Sequence, residues 1–142
     1  MDNLSRSGKV TRVLNPVAAG QATSLSSAVD MEGFKSVAFY VLVSTIVSSG
    51  TVTVKAQGSA NESASPDDYA DISSTTVSYT DADDNKVTIV ELDSPSYRYV
   101  RLSVTTATAN GTIDGAIAVQ HQGKAVPVSH DSSVVGSVYK LA

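Results

Sequence analysis

The stretch "SVAFYVLVSTI", residues 36–46, decides the fold class of this 142-residue chain. Successive side chains of a β-strand point to opposite faces of the sheet, so a half-exposed strand alternates apolar and polar residues. Here every residue from Val37 to Val43 is apolar, and both faces of such a strand would be apolar. The stretch therefore predicts a central strand that is covered on both sides.

The composition of the whole chain agrees with a β-rich fold. Valine is the dominant apolar residue, with 21 valines against 7 leucines, and the chain has 22 serines and 13 threonines. β-Branched side chains are stiff at χ1 and pack well on a pleated surface, so this composition favours strands over helices. The length suits one domain with its own core.

Alternating apolar and polar residues recur on both sides of this stretch, between short turns rich in Gly, Pro, Ser or Asp. We predict further strands at 9–14, 23–27, 51–58, 69–72, 75–79, 87–92, 97–105 and 112–122. The segment "NPVAAGQ" is assigned to a loop, and residues 17–34 show no helical periodicity. The segment "TANG", residues 108–111, predicts a tight hairpin because Asn and Gly tolerate positive φ.

Eight or nine short strands with little or no helix predict an all-β fold, an antiparallel β-sandwich of jelly-roll type. A closed barrel is the alternative. We divide the chain into an N-terminal strand and possible arm (1–20), a sandwich domain (21–128) and a C-terminal extension or final strand (129–142). In this last part Val134, Val135, Val138 and Tyr139 indicate either one more strand or an arm that completes a neighbour's sheet.

The segment "SYRYVRLSV", residues 96–104, is the best candidate for a contact surface. Its apolar residues share one strand face with Arg98, which we place at the rim of the core. The opposite face carries Tyr97, Tyr99 and Arg101. Because Tyr and Arg are frequent in interface hot spots, this face is either an ordinary polar sheet surface or a contact face for a partner.

Charge and hydropathy exclude two classes of partner. The net charge is −4, residues 61–93 have a local charge of −8, and residues 1–12 have a local charge of +2. No basic stripe could displace counterions from phosphates, so nucleic acid is not an expected partner. The apolar run is far shorter than the roughly 18 residues that span a bilayer, and no secretory signal is visible at the N-terminus. We expect a soluble protein made in the cytoplasm.

No catalytic, cofactor or metal site is predicted. Asp81, Asp83 and Asn85 are spaced like the opening of a calcium loop, but Lys86 replaces the required Gly and Leu92 the bidentate Glu. The two histidines, His121 and His130, have no partner motif for zinc, and the chain has no cysteine. No GxSxG elbow occurs. We therefore expect a non-enzymatic protein.

The order of four segments resembles that of small structural proteins of tailed double-stranded DNA phages. The segments are "VDMEGFKSVAFYVLV", "GTVTVKAQGSANESASPDDYADI", "DDNKVTIVELDSPSYRYVRLSV" and "GAIAVQHQGKAVPVSHD", and the resemblance covers about residues 9–131. It implies a β-sandwich virion component, most concretely a capsid decoration (cement) protein. The implied partners are the major capsid protein and further copies of the chain, with a trimer favoured, at the capsid surface.

The same resemblance implies an arm that lies along the shell. The segment 1–14 is the better candidate for it, because outer capsid surfaces are commonly acidic and the segment carries Arg6, Lys9 and Arg12. Two other roles stay open. One is a receptor- or carbohydrate-binding sandwich of a fibre, in which Tyr97 and Tyr99 would supply the aromatic platform. The other is a neck, tail or baseplate component.

Overall fold

The computed structural model describes residues 3–61 and 68–136, and these form two antiparallel sheets packed face to face. The predicted all-β sandwich is therefore confirmed. A short α-helix, α1, covers Leu4–Ser7, and a 3-10 helix covers Asp81–Asp83. The strands are β1 (Lys9–Leu14), β2 (Val17–Gly20), β3 (Thr23–Leu25), β4 (Val29–Asp30), β5 (Phe34–Ile46), β6 (Thr51–Ser59), β7 (Ala70–Asp71), β8 (Val77–Thr80), β9 (Val87–Asp93), β10 (Tyr99–Ala107) and β11 (Gly111–Gly123).

The two sheets, which we call sheet I and sheet II, are each built around long strands. Sheet I has the order β1-β11-β5-β9, and β2 also pairs with β11. Sheet II has the order β3-β10-β6-β7, with β4 also paired to β10 and β8 to β6. Among the described residues, no helix is long and apolar enough to cross a bilayer.

The core lies between the inner faces of the two sheets. Strand β5 contributes alternate residues such as Val37 and Phe39, which are completely buried. Strand β10 contributes Val100, Leu102 and Val104 from the opposite sheet. These are the core positions that the alternation predicts, because residues two apart on a strand share a face. The prediction of the core face of 97–105 is thus confirmed.

One local prediction is wrong, and another is correct in outcome but not in the residues it assigned to the positive φ. The segment "NPVAAGQ" is not all loop, because β2 pairs with the long strand β11 through Val17↔Ile113 and Gly20↔Gly111. The hairpin after β10 forms as predicted, but its positive φ of 68° is at Thr108, and Gly111 already begins β11. A strand of two to four residues leaves little periodicity to detect, and it is fixed by the strand that it pairs with.

The prediction for residues 36–46 is correct in one part and wrong in another. Strand β5 is central, with β11 on one side and β9 on the other. Sheet II covers one of its faces, and the other face is covered only in part. On this outer face of sheet I Ser36 and Ala38 are buried, but the side chain of Leu42 is 40% exposed and Tyr40 is half-buried. The chain thus leaves uncovered part of an apolar face that its sequence indicated as buried.

The segment after β11 covers the open edge of β1. The backbone N–H of Val10 donates to Nδ1 of His130 (3.1 Å), and that of Arg12 donates to Oγ of Ser133 (2.9 Å). The N–H of Asp131 donates to the carbonyl of Val10 (3.3 Å). Residues 124–136 form no strand, and the predicted positions 138 and 139 lie outside the described residues. The described part therefore protects the edge of its own sheet, where an unpaired strand would invite association.

Candidate interaction surfaces

The predicted contact face on β10 lies beneath another part of the same chain. Tyr99 is 8% exposed and Arg101 is 7% exposed. The guanidinium carbon of Arg101 lies 3.8 Å from the ring centroid of Tyr69, and Nε donates to Oε1 of Gln57 (3.0 Å). A planar guanidinium tolerates such burial because it stacks on an aromatic face and keeps hydrogen bonds. Tyr99 and Arg101 are therefore not available as an exposed face of the single chain.

The third residue of that set, Tyr97, borders a hollow at one end of the sandwich. Its ring packs directly on the backbone of Gly58, where a Cβ atom would collide with it. The hollow has a volume of about 490 Å³, and Phe34, Arg98 and Lys124 also border it. Tyr97 is thus half-buried but accessible from this hollow.

Arg98 lies at the rim, as predicted, and is held by two carboxylates. Its Nε and Nη2 donate to Oδ1 and Oδ2 of Asp30, both at 2.9 Å, and Nη2 also pairs with Glu32. The hydrogen bond from Arg98 lowers the pKa of Asp30, and the same pair raises the pKa of Arg98. These bonds hold the Arg98 side chain in place, so its charged guanidinium forms one wall of the hollow.

The three basic residues near the N-terminus lie along the β1 edge and form no ion pair with the described residues. Arg6 is exposed on α1, Lys9 is half-buried at the start of β1, and Arg12 is exposed within β1. Four other basic residues are paired, namely Lys35, Lys55, Lys86 and Arg98. We call Arg6, Lys9 and Arg12 the basic edge.

A free arm over residues 1–14 is not what the structure contains. Residues 9–14 are β1, paired with β11 from Lys9↔Gln120 onward. The carbonyl of Arg6 accepts the N–H of Val128 (2.8 Å), which ties α1 to the segment after β11. Val13 and Leu14 of β1 belong to the core, at 3% and 9% exposure, so the segment cannot leave the sandwich without exposing them. Residues 1 and 2 lie outside the described range.

The acidic turn before β9 is occupied by structural hydrogen bonds. The carboxylate of Asp84 accepts the N–H of Ile46 (2.7 Å), and that of Asp81 accepts the N–H of Ser49 (2.9 Å). Asp83 pairs with Lys86 at 2.6 Å, which lowers the pKa of Asp83 to about 2. In the described ranges, no group of three side chains could hold a metal ion.

Each histidine has partners in the fold. Nε2 of His121 lies 2.8 Å from Oε1 of Glu91 on the outer face of sheet I. The two ring nitrogens of His130 contact the N–H of Val10 and the carbonyl of Ser5. His130 is therefore a connector between α1, β1 and the segment that follows β11.

The outer face of sheet I is the largest feature that sequence reasoning missed. Ile89 is 57% exposed and Val87 is 54% exposed, and Leu42 and Ile117 lie beside them. A shallow hollow of about 570 Å³ lies over Tyr40 and extends to Leu4 on α1. The signal for this face was present in residues 37–43, which are apolar at every position. From sequence alone such a run indicates burial inside one chain.

Comparisons with known proteins add little to this description. No family model matches the chain, and no curated protein matches it. Among solved structures it is similar to a Bacillus protein from the work described as "Bacillus endospore appendages form a novel family of disulfide-linked pili". The identity is 12%, the match covers 82% of this chain and 88% of that one, and the TM-score is 0.49. A likeness at this level carries no inference about function.

Proposed function

We propose that this chain is a non-enzymatic structural protein of a tailed-phage virion, and specifically a decoration protein that binds the outer capsid surface. Support comes from the strand pattern shared with such proteins over about residues 9–131 and from a sandwich fold of the implied kind. The observation that carries the proposal is the basic edge. Arg6, Lys9 and Arg12 follow one another along α1 and β1 and form no ion pair with the described residues, although the chain as a whole is acidic. Hydrogen bonds lower the pKa of Asp30 and Asp131, and the charge of Lys9 adds to both shifts.

The basic edge would act by docking onto an acidic part of the major capsid protein. Packed DNA places the shell under pressure, and a protein that bridges neighbouring capsomers lowers the free energy of the closed shell. One contact of about 800 Å² per partner gives only modest affinity, but several contacts made by one homo-oligomer add through effective concentration. The contact requires neither a nucleic acid nor a membrane.

The first test is the number of copies of this chain per particle, from quantitative mass spectrometry of purified virions. A simple ratio to the major capsid protein is the expected result. A few to a few dozen copies would reassign the chain to the neck, tail, baseplate or fibres. Absence from particles would overturn the proposal.

The second test asks whether the basic edge makes the contact. The double variant Arg6→Glu/Lys9→Glu should lose binding to isolated capsids, because it places carboxylates against an acidic shell. The matched control is Lys55→Glu/Lys86→Glu, which changes the net charge equally on sheet II and beside β9. Equal binding by both double variants would exclude the basic edge. Removal of residues 1–8 should also weaken binding.

A second candidate function rests on the hollow beside Tyr97. An aromatic side chain with cationic neighbours suits an acidic sugar or another carboxylate-bearing receptor, and Lys124 forms no ion pair with the described residues. Tyr99 cannot contribute, because it is buried. A glycan array would test this role. Specific binding that both Tyr97→Ala and Lys124→Ala abolish would favour it over capsid decoration.

A further inference from the structure

The outer face of sheet I carries three mainly apolar rows of side chains that cross its main strands, and a fourth, polar row of His121, Ser36 and Asp93 at one end. Residues that pair across neighbouring strands share a face, so the register defines each row. The first row is Arg12, Ile117, Tyr40 and Ile89; the second is Val10, Val119, Ala38 and Glu91; the third is Gly115, Leu42 and Val87.

These rows are more apolar than an exposed sheet face normally is. An antiparallel sheet with one solvated face usually alternates apolar inward and polar outward residues. Here the only charged residues in the three rows are Arg12 and Glu91, at opposite edges of the sheet. Ala38 and Val119 in the second row are buried, with Leu4 of α1 beside them, so the accessible apolar patch consists of Ile117, Tyr40, Ile89, Leu42 and Val87. A contiguous apolar patch of this kind marks an interaction site in a soluble protein.

We propose that the outer face of sheet I docks onto the same face of a second copy of this chain. The charge pattern identifies this occupant. Arg12 lies at the β1 edge and Glu91 at the β9 edge, with apolar side chains between them, so the face is complementary to a reversed copy of itself. The Glu91 side chain contacts His121 of its own chain but is 56% exposed, which leaves it accessible to a cation of a second copy. A contact of this type is isologous: each copy contributes the same surface.

The same charges select the orientation of the pair. A two-fold axis that lies in the interface parallel to the strands places the β1 edge of one copy over the β9 edge of the other. Arg12 of one copy then lies over Ile89 of the second copy. Glu91 of the second copy is two residues further along β9, within reach of the long Arg12 side chain. A two-fold axis perpendicular to the strands would place Arg12 against Arg12, which is unfavourable. The strand-parallel axis is therefore the one we assign.

The size of the face predicts a weak pair. Four strands about 4.8 Å apart and seven residues long present on the order of 400 Å² of sheet per copy. A standard stable interface buries about 800 Å² per partner. The pair should thus form in a concentration-dependent way and gain strength where copies are held close together.

This inference goes beyond the proposed function, because it concerns a contact between copies and not the contact with a shell. It also differs from the trimer that the family resemblance implies. Purified chain alone is enough to test it, so its failure and the failure of virion localisation are separate results.

The first experiment is sedimentation equilibrium over a range of concentrations. The wild type should pass from the mass of one chain to the mass of two. Ile89→Lys should weaken the pairing about tenfold or more, because the pair would bury a cation that has no partner. In the single chain position 89 is exposed and lies outside the core, so the substitution should leave the fold intact. Val47→Lys is the matched control, since Val47 is 51% exposed in the β5–β6 turn, outside the three rows.

Three results would overturn the proposal. They are a wild type that stays monomeric throughout, a limiting mass of three chains, or equal pairing by Ile89→Lys and wild type. Circular dichroism of each variant separates a lost contact from a lost fold.

The second experiment tests the orientation by exchanging charges. Arg12→Glu and Glu91→Arg should each pair more weakly than the wild type, because each places like charges together. An equimolar mixture of the two variants should pair again, because both contacts in the mixed pair then join opposite charges. A mixture that pairs no better than its components would overturn the assigned axis.

Discussion

Arg101 is a buried charged residue, and its contacts show how this molecule accommodates such a charge. An arginine in an apolar strand is easily interpreted as a surface residue, and alternation placed it correctly on the face opposite the core. Sequence predicted a strand over 69–72 but could not show that Tyr69 covers Arg101, because alternation along a strand does not define which residue of another segment lies over it. The Tyr/Arg face therefore acts as an internal contact of sheet II.

We expect Arg101→Ala to lower the free energy of unfolding by about 1–3 kcal/mol, through loss of the stacking on Tyr69 and of the bond to Gln57. Urea denaturation followed by circular dichroism measures this. Arg101→Lys should also destabilise, because an ammonium cannot reproduce the planar stack. A variant as stable as the wild type would show that the covered arginine contributes nothing to the fold.

Ionisation of Tyr79 should lower the free energy of unfolding at high pH. This residue is buried in β8, where its hydroxyl contacts Thr88, and burial raises its pKa to about 12, with the charge of Asp83 contributing. The unfolded chain ionises this group near pH 10, so the folded state binds more protons between pH 10 and 12 and stability falls across that window. The loss reaches about 2–3 kcal/mol. Tyr79→Phe should show a shallower decline in denaturation experiments over the same range; an unchanged slope would contradict this origin.

At the scale of elements, the long strands and the short strands β3, β7 and β8 were predicted from sequence, whereas β2 and β4 were not. Strands β6, β9, β10 and β11 have enough alternating residues to define both their extent and their inner face, whereas the length of the apolar run defines β5 but not which of its faces is covered. Strand β4 has two residues, and it exists because Val29 and Asp30 pair with Val100 and Tyr99. Its position is set by β10 and not by its own sequence. The same holds for β2 against β11.

The cover on the β1 edge predicts a local effect of one side chain. His130→Ala should increase the hydrogen exchange rate of the Val10 amide about tenfold, because that N–H loses its acceptor at the sheet edge. Amide exchange measured by NMR resolves this position. Ser133→Ala is the matched control, since it should affect Arg12 and leave Val10 protected. Equal exchange at Val10 in wild type and His130→Ala would show that the contact is not formed in solution.

At the scale of the whole molecule, two contacts of different chemistry are proposed for one small sandwich. The basic edge is electrostatic, whereas the outer face of sheet I is mainly apolar. Composition alone indicated an acidic chain with a positive N-terminal segment, and this part was accessible from sequence. The uncovered sheet face was not, because an apolar strand has the same sequence whether its cover is a second layer of its own chain or another molecule.

The two contacts should respond differently to salt. Raising the ionic strength from about 0.05 M to about 0.5 M should weaken capsid binding through the basic edge, because screening shortens the range of charge interactions. Pairing through the outer face should change little or strengthen, since apolar burial does not depend on screening. Capsid pull-down and sedimentation at both salt concentrations measure the two effects. A parallel loss of both would mean that charge dominates each contact.

The pairing of β1 with β11 also determines when, during synthesis, the first strand can pair. Lys9 pairs with Gln120, so more than a hundred residues must leave the ribosome before the first strand can meet its partner. At about 5–20 residues per second this takes roughly 5–20 s. Strand β5, which is apolar on both faces, also cannot pair with β11 until β11 has been synthesised. The first strand to be translated is thus among the last to be paired, and the chain is most vulnerable to aggregation while it is being made.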